Sequence, residues 1–155
     1  MRLTDLLTEN KIKIHLQSAQ RDQVIKELVQ LLQNDITDIN QAFNAILERE
    51  KIMTTGVGNG IAIPHCKHQS CPDFVLALGI AKKSVDFSSI DQKPVDLIFL
   101  LLGPENNPGI HIKLLSRISR LMSNKDMRHN LAAAKSATEA FKLVMEEEES
   151  YPDIE

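Results

Sequence analysis

The sequence predicts an α/β fold in which helices cover both faces of a central sheet, and three observations carry that expectation. Val75-Leu76-Ala77-Leu78-Gly79-Ile80-Ala81 and Val95-Asp96-Leu97-Ile98-Phe99-Leu100-Leu101-Leu102 are near-continuous apolar runs of strand length. Such runs mark interior strands buried on two faces, which require covering layers above and below. Several other segments carry apolar residues at helical spacing and can supply those layers. Lys11-Ile12-Lys13-Ile14-His15-Leu16 alternates polar and apolar residues, the pattern of a half-exposed strand.

After that first strand, Ser18 is the expected N-cap of a helix over 19–33, with Val24, Ile25, Leu28, Leu31 and Leu32 on its apolar face. Asp38 and Gln41 have the spacing of a variant capping box. They precede a second helix with Ile39, Ala42, Phe43, Ile46 and Leu47 inward, ending near Arg49 to Lys51. Cys66 to Asp73 reads as a loop from its polarity and Pro72. Val85-Asp86-Phe87 and Ile90-Asp91-Gln92-Lys93-Pro94 read as an exposed connection between the two interior strands. Gly103 to Gly109 is dense in turn residues. Ile110, Leu114, Leu115, Ile118, Leu121 and Met122 follow at helical spacing. Ser123 to Asp126 opens a short helix, and Ser136 and Glu139 form a capping box for the last one. Four acids, Glu146 to Glu149, oppose the dipole at the end of that helix, which predicts fraying.

A chain of 155 residues suits one domain, 1–147, followed by a flexible acidic tail, 148–155. Hydrophobic content of 43% and charged content of 25% are ordinary for a soluble globular protein. A net charge of −3 without a basic cluster predicts no nucleic-acid partner. No run approaches the ~18 apolar residues of a membrane span, and the amino terminus lacks the apolar core of a signal peptide. A cytoplasmic protein is expected, with Cys66 and Cys71 as thiols.

One stretch organises the chain: Thr54-Thr55-Gly56-Val57-Gly58-Asn59-Gly60-Ile61-Ala62-Ile63-Pro64-His65. Gly56, Gly58 and Gly60 mark an irregular loop whose N–H groups could face a ligand. Ile61-Ala62-Ile63 reads as a short buried strand that Pro64 terminates. His65 then sits just past a strand's carboxyl end, where α/β folds meet ligands.

His65 is the strongest candidate for chemistry. Imidazole is nucleophilic and largely neutral near pH 7, and it can accept a phosphoryl group on nitrogen. Such an adduct needs fixed N–H donors, which a glycine loop or a helix N-terminus supplies. The alternative is a strand-end histidine bonded to backbone. His111 falls in the first turn of its helix, either half-buried and structural or a hydrogen-bond partner for whatever occupies His65. Arg49 either complements the helix dipole or holds a phosphoryl oxygen. Thr54, Thr55 and Asn59 are turn formers or hydrogen-bond partners. His65, Cys66, His68 and Cys71 invite a zinc reading. Their spacing opposes it, because His65 and Cys66 are adjacent and no second ligand pair follows.

Thr55 to His65 closely resembles the active-site signature of enzyme IIA of the bacterial phosphotransferase system, in its fructose/mannitol/nitrogen-related class. The resemblance continues through Pro94-Val95-Asp96-Leu97-Ile98-Phe99-Leu100-Leu101 and His111-Ile112-Lys113-Leu114-Leu115-Ser116. It implies a three-layer α/β/α sandwich with a mixed sheet. It also implies that His65 accepts phosphate from an HPr-like histidine phosphocarrier and that His111 supports the phosphoryl group. Arg49, Thr55, Gly58 and Asn59 would surround the site, with no cofactor and no metal. Downstream, the resemblance leaves two roles open: a nitrogen-related regulator, which Gly58-Asn59-Gly60 favours, or a relay to a separate enzyme IIB for sugar uptake. One departure stands out, since Cys66 follows the histidine where the family usually has glycine.

Overall fold

The computed structural model describes residues 1–151. Two short 3₁₀ turns, Leu3–Asp5 and Glu9–Lys11, lead into β1 (Ile12–Leu16), α1 (Arg21–Gln30) and α2 (Ile39–Ile52). The glycine stretch gives β2 (Gly56–Gly58), β3 (Ile61–Ala62) and β4 (His65–Lys67). The interior strands are β5 (Val75–Val85) and β6 (Val95–Gly103), followed by α3 (Pro108–Leu121), α4 (Lys125–Ala132) and α5 (Ala137–Glu149).

The sheet runs β1-β5-β6-β3-β2, with β4 also paired to β6. It is mixed: β1 is parallel to β5, β5 antiparallel to β6, and β3 and β4 parallel to β6. Alternation along β6 separates two cores. Leu97, Phe99 and Leu101 face Leu114, Ile118 and Leu121 of α3, Leu131 of α4 and Val144 of α5. Ile98, Leu100 and Leu102 face Val24, Ile25 and Leu28 of α1 and Ala42 and Ile46 of α2. Both faces of one strand are therefore dry, as its unbroken apolar run requires. The expected α/β/α sandwich is the observed architecture.

The caps follow local chemistry. Asp38 accepts from Gln41 N and Asn124 from Met127 N. Ser136 accepts from Glu139 N, but Glu139 reaches Lys135 N, so only half of the expected box closes. Ser18 caps nothing at the helix itself. Its Oγ accepts from Gln20 N, and the helix starts at Arg21.

Three expectations are corrected by tertiary contacts. Val85 and Phe87 are fully buried, because β5 extends to Val85 and the following turn folds back under α2's core. The loop expected from Cys66 begins as β4, which pairs with Leu101 to Gly103 of β6. The helix end at Glu146 to Glu149 does not fray: Glu148 is buried and accepts from Leu3 N at 2.7 Å and from Thr4 N and Oγ1 at 3.0 and 3.1 Å. An acid that opposes its own helix dipole thus satisfies the N–H groups that open a 3₁₀ turn. The rest of the expected tail, residues 152–155, lies outside the described residues.

Candidate active site

The site forms where the C-terminal end of α2, the glycine loop and the first turn of α3 meet the C-terminal end of β6. Pro64 has no N–H to donate, so the chain leaves the ladder at Ile63 and rejoins it as β4. Pro64 still contributes its carbonyl, which accepts from Leu101 N at 3.0 Å. That interruption presents His65, half-buried, at the start of β4.

The His65 ring is held by its backbone. Nδ1 lies 2.7 Å from the Ile63 carbonyl oxygen. A carbonyl only accepts, so Nδ1 carries the proton and Nε2 keeps its lone pair. Burial pushes the His65 pKa below its ordinary value. The Ile63 bond and Glu50 act upward, while Arg49 and Lys67 act downward. The imidazole is therefore neutral at pH 7, the form that can act as a nucleophile.

His111 packs beside it, with ring centroids 5.7 Å apart and planes inclined at 51°. Phe74 lies 6.2 Å from the His111 ring. Turn residues up to Pro108 start α3 immediately before His111, which places the helix's N-terminal end at the site. His111 is buried rather than half-buried, and its pKa is pushed down to about 4 by burial, with His65 and Lys67 adding to the shift. Its buried Nδ1 has no hydrogen-bond partner among the described residues. Buried polar atoms are rarely left so, and functional sites are where the exceptions concentrate.

The glycine loop is committed to its own scaffold. Thr55 N and Oγ1 donate to the buried carboxylate of Glu50 at 2.7 and 2.6 Å. Gly56 N donates to Thr54 Oγ1 at 3.0 Å, and the Thr54 hydroxyl bonds the Phe87 carbonyl. Asn59 N donates to Asp91 at 3.1 Å. Lys93 N and Asn59 N together hold the Asp91 carboxyl below its ordinary range. Gly56 is glycine for closeness, since a Cβ there would overlap Ser89. Gly58, at φ +98°, is glycine for conformation. The expectation that these N–H groups face a ligand is thus corrected at Thr55, Gly56 and Asn59, whose amides are spent inside the loop.

Of the residues singled out in the sequence, the structure brings His65 and His111 together. Arg49 stands at the C-terminal end of α2, within electrostatic reach of His65, and its guanidinium donates to the Met53 carbonyl at 3.2 Å. Thr55 is buried against Glu50, while Asn59 and Gly58 lie against Asp91. Cys66 and Cys71 are free thiols. Burial, reinforced by Cys71, raises the Cys66 pKa, so its thiol stands protonated beside His65.

Sequence reasoning missed Glu50 and Lys67. Glu50 carries a signal, because an acid in the last turn of a helix opposes the dipole and needs a reason. Lys67 is two residues beyond His65 on one strand, hence on the same side, but only after Cys66 to Asp73 is known to begin as a strand.

Comparison with known proteins decides the family. Residues 5–147 match the model of the phosphoenolpyruvate-dependent sugar phosphotransferase system EIIA 2 domain. The chain belongs to this enzyme IIA family. It is 32% identical over 94% of its length to a nitrogen regulatory protein of Pseudomonas aeruginosa, covering 96% of that protein. It is 37% identical over 88% of its length to a fructose-specific EIIABC component of Bacillus subtilis, of which it spans 22%. The crystal structure of nitrogen regulatory protein IIA-Ntr from Neisseria meningitidis superposes with a TM-score of 0.85 at 31% identity, over 90% of this chain and 97% of that one. This enzyme IIA is a phosphotransferase-system component with relatives in both the nitrogen-regulatory and the sugar-specific branches. Among its described residues no helix is long and apolar enough to cross a membrane.

Proposed function

We propose that this enzyme IIA accepts a phosphoryl group on Nε2 of His65 from an HPr-like phosphocarrier in the cytoplasm and acts as a nitrogen-related regulator. The observation that carries the reading is the 2.7 Å bond from His65 Nδ1 to the Ile63 carbonyl, which leaves Nε2 as the nucleophile of a neutral ring. The lone pair of Nε2 forms the new N–P bond. The donor's N–P bond breaks, and its electron pair stays on the donor nitrogen. Nδ1 keeps its proton and its carbonyl partner throughout, so no base is needed.

The adduct's charge has defined neighbours. Arg49 and Lys67 are the cations that act on His65. The N-terminal end of α3 lies beside it, and His111 can supply an imidazole N–H to a phosphoryl oxygen. Thr55, Gly58 and Asn59 serve the site by shaping the loop. Exposed Ile52, Met53, Val57 and Ile90 flank the same loop and offer apolar area to a protein partner. Phosphorylation would add about two negative charges to this face, enough to change which protein binds it.

The nitrogen-related role rests on the relative that this chain matches nearly end to end, a nitrogen regulatory protein. The second reading, a relay to a separate enzyme IIB, is favoured by the 37% identity to a fructose-specific component. The core chemistry is tested by intact-mass spectrometry at alkaline pH after incubation with phosphoenolpyruvate, enzyme I and an HPr-like carrier. One added phosphate is expected on the wild type and none on His65→Ala. Label on the variant would remove His65 as acceptor.

A further inference from the structure

Four hydrogen bonds join a buried carboxylate to the ring of His65. Both oxygens of Glu50 accept from Thr55, one from its N–H at 2.7 Å and one from its hydroxyl at 2.6 Å. The carbonyl of Thr55 accepts from Ile63 N at 3.0 Å. The carbonyl of Ile63 accepts from His65 Nδ1 at 2.7 Å. The links at Thr55 and Ile63 pass through a single residue each, and the route joins the end of α2 to the residue after β3 and then to the site.

We propose that Glu50 is a positioning residue for phosphoryl transfer, setting through Thr55 and Ile63 the carbonyl that fixes the proton on Nδ1 of His65.

Glu50 is only 3% exposed, and no ion pair holds its side chain among the described residues. A carboxylate taken from water and given no cation is costly, and Thr55 is its compensation. Helix stability does not explain an acid here, because the C-terminal end of α2 favours cations and already has Arg49 and Lys51. The position of the group does explain it. Thr55 directly precedes the first glycine of the stretch, and its carbonyl is where the backbone of Ile63 anchors. Ile63 is followed by Pro64, which offers no N–H to hold the His65 segment on that side. Ile63 is therefore fixed through the N–H on the other side of its Cα, by a Thr55 carbonyl that Glu50 holds in place. The field of the carboxylate works in the same direction, opposing Arg49 and Lys67 at the ring.

The inference rests on His65 as the acceptor, and the experiment separates the two. Full-length wild type, Glu50→Gln, Thr55→Val and Thr55→Ser are compared by ¹⁵N NMR of the His65 ring and by phosphorylation rate. In the wild type the ring signals should show the Nδ1–H tautomer alone. Glu50→Gln and Thr55→Val should each populate the Nε2–H tautomer and slow uptake by about tenfold or more, since small misplacements of a reacting group are that costly. Thr55→Ser keeps both donors and should restore the wild-type tautomer and rate. A folded Glu50→Gln or Thr55→Val protein that keeps the wild-type tautomer overturns the proposal. Should Glu50→Gln fail to fold, Thr55→Val, nearly isosteric, carries the same test. The tautomer is read without any phosphate donor, so a wild type that takes up no phosphate would defeat the proposed function and leave this inference decided on its own terms.

Discussion

Two buried glutamates, Glu50 and Glu148, are built alike and stand at different places. Each lies in the last turn of a helix, where an acid opposes the dipole, and each accepts an N–H and a hydroxyl from a threonine. Glu148 also accepts from Leu3 N and has Arg117 at 3.8 Å. It ties α5 to the amino-terminal turn, with a cation to balance its charge. Glu50 has no ion-paired cation among the described residues and ties α2 to the loop that ends at His65. The same device is a clasp in one place and an alignment post in the other. What differs is the element at the far end of the hydrogen bonds, and that decides whether a variant changes stability or chemistry.

Variants on the Glu148 side and at the site can break the comparison. Glu148→Ala strands the buried N–H groups of Leu3 and Thr4 and removes the carboxylate that faces Arg117, so it should cost about 3 kcal/mol in urea denaturation. Its phosphate uptake at 25 °C should match the wild type. Uptake lost by a folded Glu148→Ala protein would mean that the terminal clasp reaches the site.

His111→Ala removes one donor from the adduct and should slow uptake or shorten adduct lifetime by about a hundredfold, while thermal unfolding shows an intact fold. Unchanged rate and lifetime would take His111 out of the site.

Acid sharpens the contrast further. The His111 pKa falls from an ordinary 6.5 to about 4 in the folded protein. As pH drops, the unfolded chain binds the proton first, so stability is retained above about 6.5 and lost progressively down to about 4. His65, also lowered, acts in the same direction. Urea midpoints between pH 7 and pH 4 should fall more steeply for wild type than for His111→Gln. Equal slopes would place the acid sensitivity elsewhere. The smallest effect belongs to Cys66→Gly, which removes the thiol beside His65. Its uptake rate should stay within about twofold of wild type, because a protonated cysteine behaves as a small hydrophobe.

The sequence showed the two interior strands, the helix faces and both histidines, since each is encoded in local residue pattern. Val95 to Leu102 could only be a strand covered twice, and the structure covers it twice. What stayed hidden depends on pairing across the chain. Phe87 looked like part of an exposed connection because its neighbours are polar, and only α2's core shows why it is buried. Lys67 looked like loop because one short strand has too few residues to display a period. The amides of Thr55, Gly56 and Asn59 read as available because glycine density marks a loop but does not say where its N–H groups point. Glu50 is missed although its charge is at odds with a helix end, and its partner Thr55 can be named only once α2 and the loop are in place.

The central claim is that Nε2 of His65 takes the phosphate while Nδ1 keeps its hydrogen bond to Ile63. It is tested most directly by ¹H–¹⁵N–³¹P NMR of the phosphorylated, ¹⁵N-labelled protein at alkaline pH. Phosphorus coupled to Nε2 of His65, with a protonated Nδ1, is the expected result. Phosphorus on Nδ1, or on any other residue, would contradict the account.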